Sequence, residues 1–193
     1  MTLLAFIELF RRISKRMKVK RKMIEIKNVR FEMNPRNLKW GFRPKSYIDK
    51  IIVHQELGWG SAEQVHEYHI SEKSHLKPGV GAPAIAYHFV VEADGQILQV
   101  NDDTAITWHC KGENMHSLGI MVVGDFAGID HSGDEPWPIQ IESIEKLLDH
   151  LIANYNLTKN DVYGHEAFGK PACPGFTISN LIRKYNKEGN IRI

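Results

Sequence analysis

Two cysteines in 193 residues, Cys110 and Cys173, are too few for a disulfide-stapled scaffold, and they stand beside ten histidines. A single Cys110 to Cys173 bridge is the most the chain could form. No run of about 20 apolar residues is present, the length that a membrane-spanning helix needs. No basic segment precedes the first apolar run, as it would in a secretory signal, so synthesis in the cytoplasm without a signal peptide is expected. There is no internal repeat and no low-complexity stretch, which excludes solenoids and linker arrays. Charge of one sign is not in excess overall, the formal net charge being +2. No nucleic-acid partner is expected.

That small net charge hides an asymmetry. Residues 1–22 carry eight Lys/Arg against Glu8, a net of +7, which leaves residues 23–193 at −5. The tail opens with "LLAFIELF" and runs into "RRISKRMKVKRK", with Leu3, Phe6, Ile7, Phe10, Ile13 and Met17 at helical spacing. Two readings of it stand side by side: a weak contact with an anionic surface, or a solvated extension ahead of the body. Residues 23–46 read as a connector with a little extended structure, residues 47–186 as one domain, and residues 187–193 as a C-terminal tail. At 42% hydrophobic the chain can fill one substantial core.

The body alternates strand-like and helix-like segments. "YIDKIIVHQ" (47–55) is a β-branched run ending near His54, and Ser61 with Gln64 forms a capping-box pattern opening a helix through "AEQVHEYHISEK". "IAYHFVV" and "QILQV" read as two strands joined by a Gly-containing turn, and "SLGIMVVGDF" as a third. Pro138 is placed to open an amphipathic helix over about 139–155. "DVYGH" is a short strand, and Thr177 is expected to cap a last helix. The expected fold is therefore α/β: a single domain with a central mixed sheet flanked by helices.

The segment "GHEAFGKPACPG" (164–175) carries the chemistry. Eight residues of helix would hold His165 and Cys173 about 12 Å apart, and Pro171 would break that helix. Gly169 and Pro171 instead let the loop double back, bringing an imidazole and a thiol together, as a tetrahedral zinc site requires. A third ligand must come from elsewhere, and His54 at a strand end is the best candidate. Three protein ligands leave one position free, the mark of a catalytic zinc rather than a structural one. Cys110 remains open as either a fourth ligand or a small buried side chain. Trp59 and Trp108 fall near groove loops, where they could stack on sugar rings or pack in the core.

The segments "IIVHQ", "YHFVVEADGQILQ", "HCKGENMHSLGI", "VVGDF" and "GHEAFGKPACPG" resemble, in order and spacing, the zinc-dependent N-acetylmuramoyl-L-alanine amidases. That family includes phage lysozyme-type amidases and animal peptidoglycan recognition proteins, and the resemblance spans residues 47 to about 186. It implies an amidase-like fold, one Zn²⁺ per chain, and peptidoglycan or a muropeptide as partner. The implied zinc ligands are His54, His165 and Cys173. Tyr87 matches a tyrosine that faces the metal site in many members. His109 matches the first residue of H-x-x-G-x-N-x-x-S-x-G-I, in which Asn114, Ser117 and Gly119 also fall in place and shape the substrate groove in relatives. Tyr87, Lys170 and His109 are thus candidates for oxyanion stabilisation and proton transfer, and Trp59, Trp108 and Asn114 for substrate binding. Two departures stand out. Pro171 occupies a position where relatives carry a catalytic Lys or Thr, and Met121 one where some carry a Glu. The implied reaction is hydrolysis of the amide between N-acetylmuramic acid and L-alanine, in the cell wall or in its cytosolic fragments. The alternatives are a non-catalytic peptidoglycan-binding module and a zinc hydrolase of another amide or peptide.

Overall fold

A computed structural model describes residues 24–34, 39–127 and 134–189. The basic tail of residues 1–22 lies outside them. The strands are β1 (Ile26–Asn28), β2 (Gly41–Phe42), β3 (Lys50–Gln55), β4 (Phe89–Val91), β5 (Ile97–Gln99), β6 (Ala105–Ile106), β7 (Ser117–Val122) and β8 (Val162–Gly164). The helices are α1 (Ala62–Ile70), α2 (Pro138–Tyr155) and α3 (Phe176–Gly189). Six strands form one sheet in the order β1-β5-β4-β7-β3-β8, and β2 pairs with β6 separately. Only β4 and β5 run antiparallel within the large sheet, so it is mixed, as expected. Among the described residues no helix is long and apolar enough to cross a membrane.

The β-branched run is central because both its faces are covered. Ile51 and Val53 of β3, with Leu118, Ile120 and Val122 of β7, pack against Ile144, Leu147, Leu148 and Leu151 of α2 and against Ile178 and Ile182 of α3. The opposite face carries Val90 and Met121 against Ala62 and Val65 of α1. With a period of two along β3, His54 belongs to the α1 face, and its register partner on β7 is Met121. Burying so much aliphatic surface at roughly 25 cal/mol per Å² stabilises the sheet that positions the site.

Local signals explain the helix starts. Ser61 Oγ accepts from the Gln64 N–H at 3.4 Å while Gln64 Oε1 accepts from the Ser61 N–H at 2.9 Å, the reciprocal box that opens α1. Helix α1 stops at Ile70, three residues short of expectation, because Ser71 turns extended and returns its hydroxyl to the Tyr68 carbonyl at 2.8 Å. Pro138 is the first residue of α2, and Gln140 accepts from the Trp137 N–H at 3.0 Å. Helix α3 begins at Phe176, one residue before Thr177, so Thr177 lies inside it rather than capping it. The segment read as a connector also contributes to the fold. Strand β1 adds a parallel edge to β5, and Trp40 and Arg43 are buried.

Candidate metal centre and cleft

Two parallel neighbours bring the histidines together. Val53 of β3 pairs with Gly164 of β8, so His54 and His165 are the next residues at adjoining strand ends, with ring centroids 4.3 Å apart. After His165 the chain makes a 3-10 turn through Phe168, reverses at Gly169 (φ 82°), and returns to Cys173, whose N–H donates to the Lys170 carbonyl at 2.9 Å. Gly175 then turns the chain at φ 94°. A Cβ there would sit 2.0 Å from the Phe126 carbonyl oxygen, so only glycine fits. Cys173 Sγ comes 3.9 Å from His54 Nδ1, and one ligand atom each from His54, His165 and Cys173 lies within 4.8 Å of the others.

The donor set fits zinc. Tetrahedral ligation at ~2.0–2.3 Å puts donor atoms about 3.5 Å apart, close to the spacing present. Burial pushes His54 well below the ordinary histidine range, with the neighbouring His109 and His165 adding to the effect. Burial first, then Lys170, takes His165 down to about 4, so both imidazoles are neutral and offer lone pairs. Burial likewise pushes the Cys173 thiol up to about 12. A half-buried thiol of this kind becomes a thiolate only beside a cation, a charge that a divalent metal would supply.

The cluster floors a cleft of about 440 Å³ whose walls include Glu56, Leu57, Tyr68, His69, Tyr87, Trp108 and Lys170. Tyr87 is half-buried, its ring 5.2 Å from that of His54, and burial raises its phenol so that the proton stays on. Lys170 is exposed at the rim beside His165. Trp108 presents one side to the cleft and meets Trp40 edge-on at 5.2 Å. Trp59 does not reach the cleft; its indole N–H donates to Asp134 at 2.8 Å and its ring leans on Phe126. Asn114 is turned inward, its Oδ1 accepting from the Cys110 N–H at 2.8 Å, which holds the turn before β7. His109 is 6% exposed, lines the cleft next to Trp108 and sets its Nδ1 3.1 Å from His54 Nε2. Cys110 is buried and outside the cluster; burial raises its thiol to about 11. Of the two readings of Cys110, this location agrees with the small buried side chain.

Sequence reasoning passed over Gln55. Its side-chain amide donates to the Ala172 carbonyl and accepts from the Phe126 N–H. One residue therefore ties the strand of His54 to the loop of Cys173. A buried polar residue directly after a strand-end histidine was the available signal.

Comparison with known proteins agrees with this architecture. Residues 44–176 match the family model described as N-acetylmuramoyl-L-alanine amidase. The endolysin of Enterobacteria phage T3 is 30% identical over 153 residues, covering 74% of this chain and 91% of the phage protein. Peptidoglycan-recognition protein SC1a of Drosophila melanogaster is 25% identical over 158 residues, covering 80% and 83%. Among solved structures, the endolysine N-acetylmuramoyl-L-alanine amidase LysCS from Clostridium intestinale URNW superposes with a TM-score of 0.65 at 23% identity, covering 85% of this chain and 97% of that one.

Proposed function

Because the chain belongs to the N-acetylmuramoyl-L-alanine amidase family, we propose that it hydrolyses the amide between N-acetylmuramic acid and L-alanine in peptidoglycan or its fragments, using one Zn²⁺. The observation that carries this reading is the convergence of His54, His165 and Cys173 in the floor of an open cleft. These three residues would hold the ion. When bound, zinc polarises the scissile carbonyl and lowers the pKa of a water at its free position.

The chain's own residues supply the rest. Tyr87 keeps its proton and can donate a hydrogen bond to the oxygen that becomes negative as the carbonyl is attacked. The Lys170 ammonium stands at the same rim, where it can stabilise that charge and deliver a proton to the departing L-alanine amine. Trp108 offers a flat apolar wall for a sugar ring or the peptide stem. Met121, beside His54 in register, carries no proton.

A binding module without catalysis is the second reading, favoured by the similarity to a peptidoglycan-recognition protein. The retained Cys173 thiol, set 3.9 Å from His54 Nδ1, favours the enzyme. Incubating the protein with purified peptidoglycan and measuring newly freed alanine amino groups, with and without a chelator, separates them. Chelator-sensitive release is expected. His54→Ala and Cys173→Ser should lose both bound zinc and release, whereas no release from a zinc-loaded wild type leaves the binding module.

A further inference from the structure

Three short contacts running from His54 through His109 to Ser117 leave one arrangement of protons. Ser117 Oγ lies 2.7 Å from the Glu113 carbonyl oxygen and 3.1 Å from His109 Nε2. A carbonyl has no proton, so the single hydroxyl proton of Ser117 must occupy the first contact. Ser117 can then only accept from His109, which places a proton on His109 Nε2. The rings against His109 are those of His54 at 5.2 Å and His88 at 5.7 Å, with the Arg43 guanidinium 3.4 Å from His88; none is an anion, so this buried imidazole has no partner to hold a second proton. Its Nδ1 is therefore a lone pair. That lone pair lies 3.1 Å from His54 Nε2, with the two rings edge-on at 89°. His54 Nε2 must carry the proton of this contact, and His54 Nδ1 is left bare on the side of Cys173.

We infer that His109, oriented by Ser117, is a positioning residue that fixes His54 in its Nε2-protonated form, so that His54 offers Nδ1 to the metal. The inference rests on His54 being a ligand. Gly119 makes the arrangement sterically possible, since a Cβ at that position would lie 2.6 Å from the His109 ring. With both nitrogens engaged, His109 acts through His54 and does not shuttle protons for the substrate. Ligand imidazoles whose second nitrogen is held in this way keep one tautomer and one ring orientation, and loss of the partner weakens metal binding about 10–100-fold.

The test is long-range ¹H–¹⁵N correlation on the full, zinc-free chain, which reports which ring nitrogen of each histidine bears the proton. Protons on Nε2 of both His54 and His109 are expected; a proton on Nδ1 of either overturns the proposal. Ser117→Ala removes the acceptor. It should give mixed His109 tautomers and a roughly 10–100-fold weaker zinc affinity in competition with a chromophoric chelator. A folded Ser117→Ala protein with wild-type tautomers and affinity also overturns it. If Ser117→Ala does not fold, the wild-type spectrum decides alone. Correct tautomers without alanine release would remove the amidase reading only, and release with the wrong tautomer would remove this one only.

Discussion

Gln55→Ala asks whether a single buried amide holds the cysteine loop against the sheet. Gln55 is 3% exposed, and its truncation leaves the Phe126 N–H and the Ala172 carbonyl without their partner. Each buried group stranded in this way costs about 1–3 kcal/mol. Water entering the vacated space recovers part of that, so the net loss should be about 2–4 kcal/mol. For a chain of this length it corresponds to a fall in Tm of roughly 5–15 °C. Urea unfolding followed by circular dichroism in the presence of chelator reads the loss without the metal's contribution. Zinc affinity should fall as well, because the loop that delivers Cys173 loses its anchor. Gln55→Glu sharpens the test. A carboxylate can accept from Phe126 but faces the Ala172 oxygen with another acceptor, so the folded state favours the protonated acid and raises its pKa above the unfolded value of ~4.3. The variant should therefore approach wild-type stability at and below that unfolded value and lose ground as pH rises through the raised folded pKa. A Gln55→Ala cost under about 1 kcal/mol, or a Gln55→Glu difference from wild type that does not change with pH, would refute the reasoning.

Leu57 lines the cleft with its backbone in the left-handed region (φ 71°) and its side chain 60% exposed. Leu57→Gly should stabilise the fold by about 1 kcal/mol while raising KM for a muropeptide, opposite signs that strain alone would not produce. Buried His69 and His88 titrate at about 4 and about 3, both lowered chiefly by desolvation, against 6.5 when exposed. Stability of the chelated protein should be full above pH 6.5 and decline as pH falls toward 4 and 3, because the unfolded chain takes up protons first; a flat urea midpoint over that range contradicts this. Lys170→Ala should leave zinc content intact and lower kcat for alanine release about 100-fold. Unchanged turnover would assign the role to Tyr87.

The cluster of His54, His165 and Cys173 was legible because its signals are local. A β-branched run fixes where His54 ends a buried strand, and the glycines and prolines around Cys173 rule out a helix without reference to the rest of the chain. Strand β1 was legible only as a little extended structure within a connector, since Ile-Lys-Asn owes its place in the sheet to pairing with Ile97–Gln99 far along the chain. Trp59 and Asn114 show the limit of a motif, which fixes a residue's place in the chain but not the partner its polar atoms find. Asn114 closes its own turn, and Trp59 finds Asp134. The His109 and Ser117 contacts depend on the packing of β3 against β7, and no spacing rule reports which ring nitrogen meets which hydroxyl.

The strand carrying His54 lies between β7 and β8, and its sulfur partner follows 119 residues later. At 5–20 residues per second, a ribosome needs about 6–24 s to travel from His54 to Cys173. For all but the last eight residues of that interval the nascent chain holds His54 alone of the three. The cluster is therefore complete only once synthesis has passed Cys173, and a chain cut short before β8 carries the first histidine with nothing to complete it.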